Sequence, residues 1–497
     1  MRPLKAPNVT LTAAAGQIPG SRLVHGEAII RGLTLASGQV EPGDLFAALP
    51  GATTHGARHA RAALAAGAAG VLTDPVGETL LPPGTPRIVT GSPRQHLGEL
   101  AAWIYGHPAR RLKIAGVTGT NGKTTAGHLL ESALAQHFGK VALLGTIVSR
   151  IDGEQIGSVR TTAEAPELQA TLAAMVERGV EACVMEVSSH GLALGRVDGL
   201  TFDVVAFTNL SRDHLDFHHS MGRYFAAKAS LFTPPRARLG VINLADPWAE
   251  ALAEQATIQL TTVSRDPAAR PDWLIEHEFP DPVGSSFDLS GPDGQTLAAR
   301  VRLPGGFNVD NAALALTSAM AMGVSSGVAA HGVAIARPVP GRMEPVLGPP
   351  SGPTVVVDYA HAPSSVAAAL AALRPHTKGR LIVVLGAGGD RDQGKRELMG
   401  AAAKAADVIF VTDDNPRRED PTQIRAAVAR GAGPGAIEVP DRADAISRAV
   451  MLAGQQDTVV ILGKGHERSI DYDGELRPHQ DSAVAAMVLR SRAEGVR

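Results

Sequence analysis

Short runs of consecutive apolar residues alternate along this chain with longer stretches in which alanine and leucine recur at helical spacing. Residues 112–117, 182–187 and 203–207 are such runs, and so are 354–358, 381–385, 408–411 and 458–462. An apolar run with few polar breaks is what a strand covered on both faces needs, so repeated strand–helix units and parallel sheets are predicted. The first 112 residues read as a mixed α/β unit. A strand at 44–49 stops at Pro50-Gly51, a helix spans 57–66, a strand 70–73, and a helix from 96 to 105 ends at Gly106-His107-Pro108. A second unit opens with the strand at 112–117. It carries an excursion at 265–300, rich in Pro, Asp and Gly, that predicts a hairpin, and then a helix over 310–322. Arg337-Pro338-Val339-Pro340-Gly341 halts any regular element and is the second linker; the strands beyond it read as a doubly wound unit.

The predicted fold is therefore α/β in three domains, 1–112, 113–337 and 338–497. Length agrees, since 497 residues at about 150 per domain make three. Lys+Arg 47 against Asp+Glu 49 leaves a net charge of −2, which provides no electrostatic footprint for nucleic acid or an anionic membrane. No run approaches the ~20 apolar residues of a membrane span, and the N-terminus lacks a signal-peptide core. One cysteine, Cys183, excludes an intramolecular disulfide or a Cys-rich zinc site and reads as a core strand residue. The expectation is a reduced, cytoplasmic protein; without a heptad run, a monomer is expected.

Gly116-Val-Thr118-Gly119-Thr120-Asn121-Gly122-Lys123-Thr124 fits G-x-x-x-x-G-K-[ST], with an apolar strand before it and a helix from Thr125 after it. Backbone N–H groups of such a loop converge on phosphate oxygens, the lysine reaches the β/γ-phosphates and the hydroxyl ligates Mg²⁺. Neither an N-K-x-D base-reading loop nor an LSGGQ-like signature is present. Glu186 ends a buried strand, where ligands bind in such sheets; it reads as a Mg²⁺ ligand or as a cap for the next helix, and Ser188 as a substrate donor. Residues 208–218, TNLSRDHLDFH, crowd acids and imidazoles after the next strand, which raises His214. By pattern alone Lys228, on an amphipathic helix, reads as a snorkelling surface lysine.

G-T-N-G-K-T-T, E-V-S-S-H, T-N-L-x-x-D-H-L-D-x-H and Y-x-x-A-K-x-x-L-F, in this order, resemble the Mur ligases of peptidoglycan synthesis. Gly305-Gly306-Phe307-Asn308, Gly341-Arg342-Met343-Glu344 and Asp358-Tyr359-Ala360-His361 extend the resemblance over essentially the whole chain. Within the family, Ser37 with Pro42-Gly43-Asp44-Leu45-Phe46, then Gly388-Gly389-Asp390-Arg391-Asp392, Asp414-Asn415-Pro416-Arg417 and Gly463-Lys464-Gly465-His466-Glu467, are similar to the branch that adds the third, diamino residue of the stem peptide.

The resemblance implies an N-terminal uridine-binding domain, a central P-loop domain and a C-terminal Rossmann-like, amino-acid-binding domain. It implies an ATP-dependent ligase acting on UDP-MurNAc-L-Ala-D-Glu and a diamino acid through an acyl phosphate, and so serving cell-wall synthesis, cell shape and division. Thr124, Glu186 and His214 match Mg²⁺ ligands, Lys123 a catalytic lysine, and Lys228 a lysine that CO₂ converts to a metal-holding carbamate. Asn308, Arg342 and Asp358 match ATP-side positions, with His361 a weaker match. Ser37, Thr161, Thr162, Ser188 and Arg196 match contacts to the UDP-MurNAc-dipeptide, although Leu194 stands where a Gln is usual. Arg391, Asp414, Asn415, Pro416, Arg417, Gly463 and Glu467 match the amino-acid pocket. There Arg417 is the expected reader of diaminopimelate's far carboxylate, because an unpaired guanidinium penalises lysine. Alternatives are ornithine or lysine as substrate, Arg417 merely ordering its loop with Glu419 or Asp420, a folylpolyglutamate-synthetase-like ligase, and a non-ligating P-loop ATPase or regulatory protein.

Overall fold

The computed structural model describes residues 1–497 except 52, 157–159, 282–283, 350–351 and 495–497. Three large sheets follow one another along the chain. The first orders its strands Arg22–Val24, Arg87–Val89, Gly70–Thr73, Asp44–Ala47 and Gly32–Thr34. It is parallel except at the Arg22–Val24 edge. Its helix Pro93–Ile104 buries Leu97, Leu100 and Ile104 against the sheet. The third orders Glu344–Pro345, Thr354–Asp358, Thr458–Leu462, Leu381–Leu385, Val408–Val411 and Ile437–Glu438, parallel except at its first edge.

The central sheet places the strand Lys113–Thr118 between Ala182–Glu186 and Phe202–Phe207, all parallel. Continuous apolar sequence is explained by the packing. Val184 and Val117 face one core, with the helices Lys123–Leu134 and Gly306–Ala321 on it, while Cys183, Met185 and Phe202 face a second core on the other side. Burial pushes the Cys183 thiol up to about 12, so it stays protonated and inert. Register sets the site: Glu186 pairs beside Val117 and Phe207 beside Thr118, so the loops following three strands leave the sheet at one level.

Two elements differ from the sequence reading. The helix expected to begin at Asp310 begins at Gly306, because Gly305, at φ 99°, turns the chain in and brings Asn308 into the first turn. Beyond Glu467 an unforeseen hairpin, Ser469–Tyr472 with Glu475–Pro478, forms from short and mostly polar strands. The excursion at 265–300 folds as an antiparallel meander, Trp273–Asp281, Gly284–Ser290 and Thr296–Val301, added to the edge of the central sheet. Among the described residues no helix is long and apolar enough to cross a membrane.

Candidate active site

The phosphate loop joins the strand Lys113–Thr118 to the helix Lys123–Leu134. Two of its glycines are required by contact as well as conformation. At Gly119 (φ 146°) a Cβ would lie 1.8 Å from Thr208 Oγ1, and at Gly122 (φ 85°) 2.3 Å from Asn311 Oδ1. Lys123 folds back to donate to the carbonyls of Gly119 (3.0 Å) and Thr120 (2.9 Å). Burial holds its ammonium below the usual lysine range, with the charge of Glu186 partly opposing.

Glu186 is the centre of the floor. Its carboxylate accepts from Thr124 Oγ1 (3.0 Å), Thr146 N (3.0 Å) and Thr146 Oγ1 (2.8 Å). Its carbonyl accepts from Thr162 Oγ1 at 3.0 Å, and Thr162 in turn accepts from the Ser188 N–H. The Thr161 hydroxyl lies 3.0 Å from that of Thr146, and Arg196 ties the group together by donating to the Thr162 carbonyl and pairing with Glu164 at 2.8 Å. Ser188 also caps the short helix Ser189–Ala193 by accepting from the Gly191 N–H. Leu194 uses its carbonyl to accept from Arg94 of the N-terminal domain at 3.4 Å.

Lys228 is 1% exposed, so the surface reading from its helical pattern fails. The helix Met221–Ala229 lies under the phosphate loop, and Lys228 Nζ donates to Gly119 O at 2.6 Å, 4.8 Å from the Tyr224 ring centroid. Lys123 donates to the same carbonyl. Burial first, and the neighbouring Lys123 second, keep the Lys228 amine well below the usual lysine range. His214 adopts φ 54° at the start of the helix Leu215–His218, and burial lowers its imidazole to about 3.

The C-terminal domain closes the opposite wall. Arg342 Nη2 reaches Thr124 Oγ1 at 3.3 Å, with its guanidinium 4.6 Å from the Tyr359 ring centroid. Asp358 accepts from the N–H groups of Met343 (2.7 Å) and Ala360 (2.8 Å); burial raises its carboxyl above the usual range. Asn308 donates to Pro304 O and accepts from Asn311. These walls enclose a cavity of about 480 Å³ reached by Thr120–Thr125, Thr161, Glu186, Ser188, His214, Asn308, Arg342 and Asp358.

Ser37, Thr162 and Arg196 do not line this cavity, and neither do the residues matched to an amino-acid pocket. The latter gather behind Tyr359, whose hydroxyl donates to Glu467 at 3.4 Å. Asn415 donates to Glu467 (2.8 Å), and buried Lys464 donates to both Asn415 (2.9 Å) and Glu467 (2.7 Å). Arg417, at φ 53°, is held by the hairpin: its N–H donates to Asp471 O and its carbonyl accepts from Asp473 N. Its guanidinium donates to Gly389 O at 2.6 Å. Glu419, the partner considered for Arg417, pairs instead with Arg396 at 2.9 Å. Among the described residues no carboxylate lies within ion-pair distance of Arg417. Arg391 is exposed on the facing loop.

Asp213 is a functional candidate that the sequence reading quoted without a role. It lies 3.6 Å from each of His214, His361 and Lys395, and so joins the central and C-terminal domains. Burial pushes its carboxyl up, but the hydrogen bond and charge of His361 outweigh this and hold it far below the usual range. Its position beside His214 was the available signal; Lys395, 182 residues away, offered none.

Comparison with known proteins covers the same three regions. The family models for the Mur ligase family catalytic domain, the Mur ligase middle domain and the Mur ligase glutamate ligase domain match residues 29–105, 117–319 and 341–465. The UDP-N-acetylmuramoyl-L-alanyl-D-glutamate–2,6-diaminopimelate ligase of Streptomyces coelicolor is 47% identical over 499 residues, 98% of each chain. The UDP-N-acetylmuramyl-tripeptide synthetase of Leifsonia xyli is 44% identical over 93% of this chain and 92% of its own. A solved UDP-N-acetylmuramoyl-L-alanyl-D-glutamate–2,6-diaminopimelate ligase superposes with a TM-score of 0.65 at 32% identity, covering 94% of this chain and 96% of that one. Folylpolyglutamate synthase of Mycobacterium tuberculosis shares the fold at TM-score 0.63 and 20% identity, over 80% of this chain.

Proposed function

Because the chain belongs to the Mur ligase family, we propose that it is the ATP-dependent ligase that joins diaminopimelate to the D-glutamate of UDP-MurNAc-L-Ala-D-Glu, in peptidoglycan precursor synthesis. The observation that carries this reading is 47% identity along 98% of both chains with a ligase of that name. The guanidinium of Arg417, which among the described residues has no carboxylate within ion-pair distance, is its physical complement.

A carboxylate resists attack by an amine because oxide is a poor leaving group. Transfer of the γ-phosphoryl of ATP to it gives an acyl phosphate, and the amine then expels phosphate. Two anions must meet in the first step, so cations have to screen them. Lys123, Arg342 and the N–H groups of the phosphate loop supply that screening from this chain. Thr124 and Glu186 would hold Mg²⁺. A hydroxyl and a carboxylate 3.0 Å apart are hard oxygen donors, and Mg²⁺ takes few protein ligands beside phosphate and water. Bound there, the ion would neutralise charge on the phosphates.

Lys228 would be carbamylated and, with His214, hold a second Mg²⁺. Support comes from burial: it disfavours the charged ammonium, the neutral amine is the form that adds to CO₂, and a carbamate would replace the clash of Lys228 with Lys123 by attraction. Thr161, Thr162, Ser188 and Arg196 would grip the dipeptide, with Ser37 on the uridine side. Asn308 and Asp358 would shape the nucleotide pocket. Asn415 and Glu467 would take the ammonium end of the amino acid, with Asp414, Pro416 and Gly463 shaping the pocket around it, and Arg417 with Arg391 would take its carboxylates.

The deciding experiment offers diaminopimelate, ornithine and lysine together with ATP and UDP-MurNAc-L-Ala-D-Glu and identifies the product by mass. Diaminopimelate tripeptide is expected. A lysine or ornithine product overturns the substrate, and ADP without any tripeptide overturns the ligase.

A further inference from the structure

The loops Asp414–Arg417 and Gly463–Glu467 follow two separate strands, Val408–Val411 and Thr458–Leu462, which are not neighbours in the sheet. Something must set their spacing, because the pocket works only if Arg417 and Glu467 stand the right distance apart. A single side chain touches both roots. Arg442, the first residue of the helix Arg442–Leu452, donates through Nη1 to Asp413 O at 3.3 Å and through Nη2 to Leu462 O at 2.9 Å. These are the residues immediately before Asp414 and Gly463.

The guanidinium is completely buried and so is its partner. Arg442 Nε and Nη2 both donate to Asp481 at 2.7 Å, and neither side chain has any exposed surface. Asp481 begins the last helix, Asp481–Glu494, and also accepts from His479 Nε2 at 2.8 Å. Two parallel bonds to a carboxylate leave the guanidinium no rotational freedom, so its remaining N–H groups point in fixed directions. A buried pair of this kind is costly to assemble and weak as a source of stability, which makes fixed geometry the better account of its presence.

We propose that Arg442, locked by Asp481, is a positioning residue for the amino-acid pocket: it sets the spacing between the loop carrying Arg417 and the loop carrying Glu467. It does not line the cavity between the domains and acts through the two strand ends. The proposal rests on the reading of that pocket as the diamino-acid site. Lysine cannot replace it, since one ammonium cannot hold a carboxylate in two parallel bonds and reach two carbonyls.

The test is steady-state kinetics on the full chain carrying Arg442→Lys, Asp481→Asn, or the double apolar replacement Arg442→Met with Asp481→Leu. The apolar pair removes both charges together and so keeps a folded comparison if the single changes unfold the protein. The expected result is a KM for diaminopimelate raised on the order of tenfold or more, a rise worth about 1.4 kcal/mol, with the KM values for ATP and UDP-MurNAc-L-Ala-D-Glu within about threefold of the parent. An unchanged KM for diaminopimelate overturns the proposal. Equal loss toward all three substrates, or failure of the apolar pair to fold, also overturns it by making the pair merely structural. Absence of ligation by the parent protein would instead defeat the reading of the pocket itself.

Discussion

Arg342 Nη2 lies 3.3 Å from Thr124 Oγ1, a contact between residues 218 positions apart that joins the C-terminal domain to the first turn after the phosphate loop. The guanidinium packs on Tyr359, and Tyr359 reaches Glu467, so one chain of contacts runs from the phosphate side to the amino-acid side.

Arg342→Ala is therefore expected to weaken ATP most. A charged hydrogen bond is worth about 1.5–3 kcal/mol, so KM for ATP should rise by about 10- to 100-fold while KM for the amino acid changes less. Arg342→Lys should recover only part, lacking the planar face that stacks on Tyr359. Equal effects on both substrates would show that the contact does not discriminate between them.

Lys228→Ala should lower kcat by about 10²–10³-fold, the loss typical of one preorganised electrostatic group, without loss of the folded state. If the amine carries a carbamate, isotope-labelled bicarbonate will give a carbamate carbon signal in the parent protein that is absent from the alanine variant. Lys228→Glu should regain some activity, because it restores a buried carboxylate. A parent protein that incorporates no label, with an inert glutamate variant, refutes the carbamate.

Much of this architecture could be read from the chain because parallel strands covered on both faces are continuous apolar runs. Strands such as Leu381–Leu385 and Thr458–Leu462 are found where the runs lie. Glu186 could be raised because a carboxylate ending such a run sits at the ligand edge of the sheet. What could not be read depends on contacts between distant segments. The amphipathic pattern around Lys228 suits a snorkelling side chain as well as a buried one, and only the phosphate loop above it decides. The meeting of Asp213 with Lys395, and of Arg442 with the roots of two loops, has no local signature. The hairpin that holds Arg417 at φ 53° is too short and polar to stand out.

Arg417→Ala should cost diaminopimelate more than lysine. Removing a guanidinium that reads a carboxylate forfeits about 1.5–3 kcal/mol for the acid-bearing substrate and nothing for a bare ammonium, so the preference should narrow by about 10- to 100-fold. Competition between the two amino acids measures it directly. A variant with the parent's preference would mean that Arg417 only orders its loop through Gly389.

Acid should destabilise the protein in two stages. Burial lowers His214 to about 3, and His218 and His466 to about 4, against about 6.5 in an unfolded chain. Between about pH 6.5 and 4 the unfolded state therefore binds up to one more proton per histidine than the folded state, and stability falls as pH drops through that window. Asp481 and Asp213 act below it. Burial opposes their ionisation, but Arg442 and His361 respectively hold them under the usual carboxylate range. Their stabilisation is present above the unfolded value of about 3.9 and is lost as the folded groups protonate. Urea unfolding from pH 7.5 to 4.5 should show a midpoint that is nearly level at first and decreases below about pH 6.5, and His466→Asn should flatten the slope there. A midpoint independent of pH over that range would mean that these imidazoles titrate alike in the folded and unfolded states.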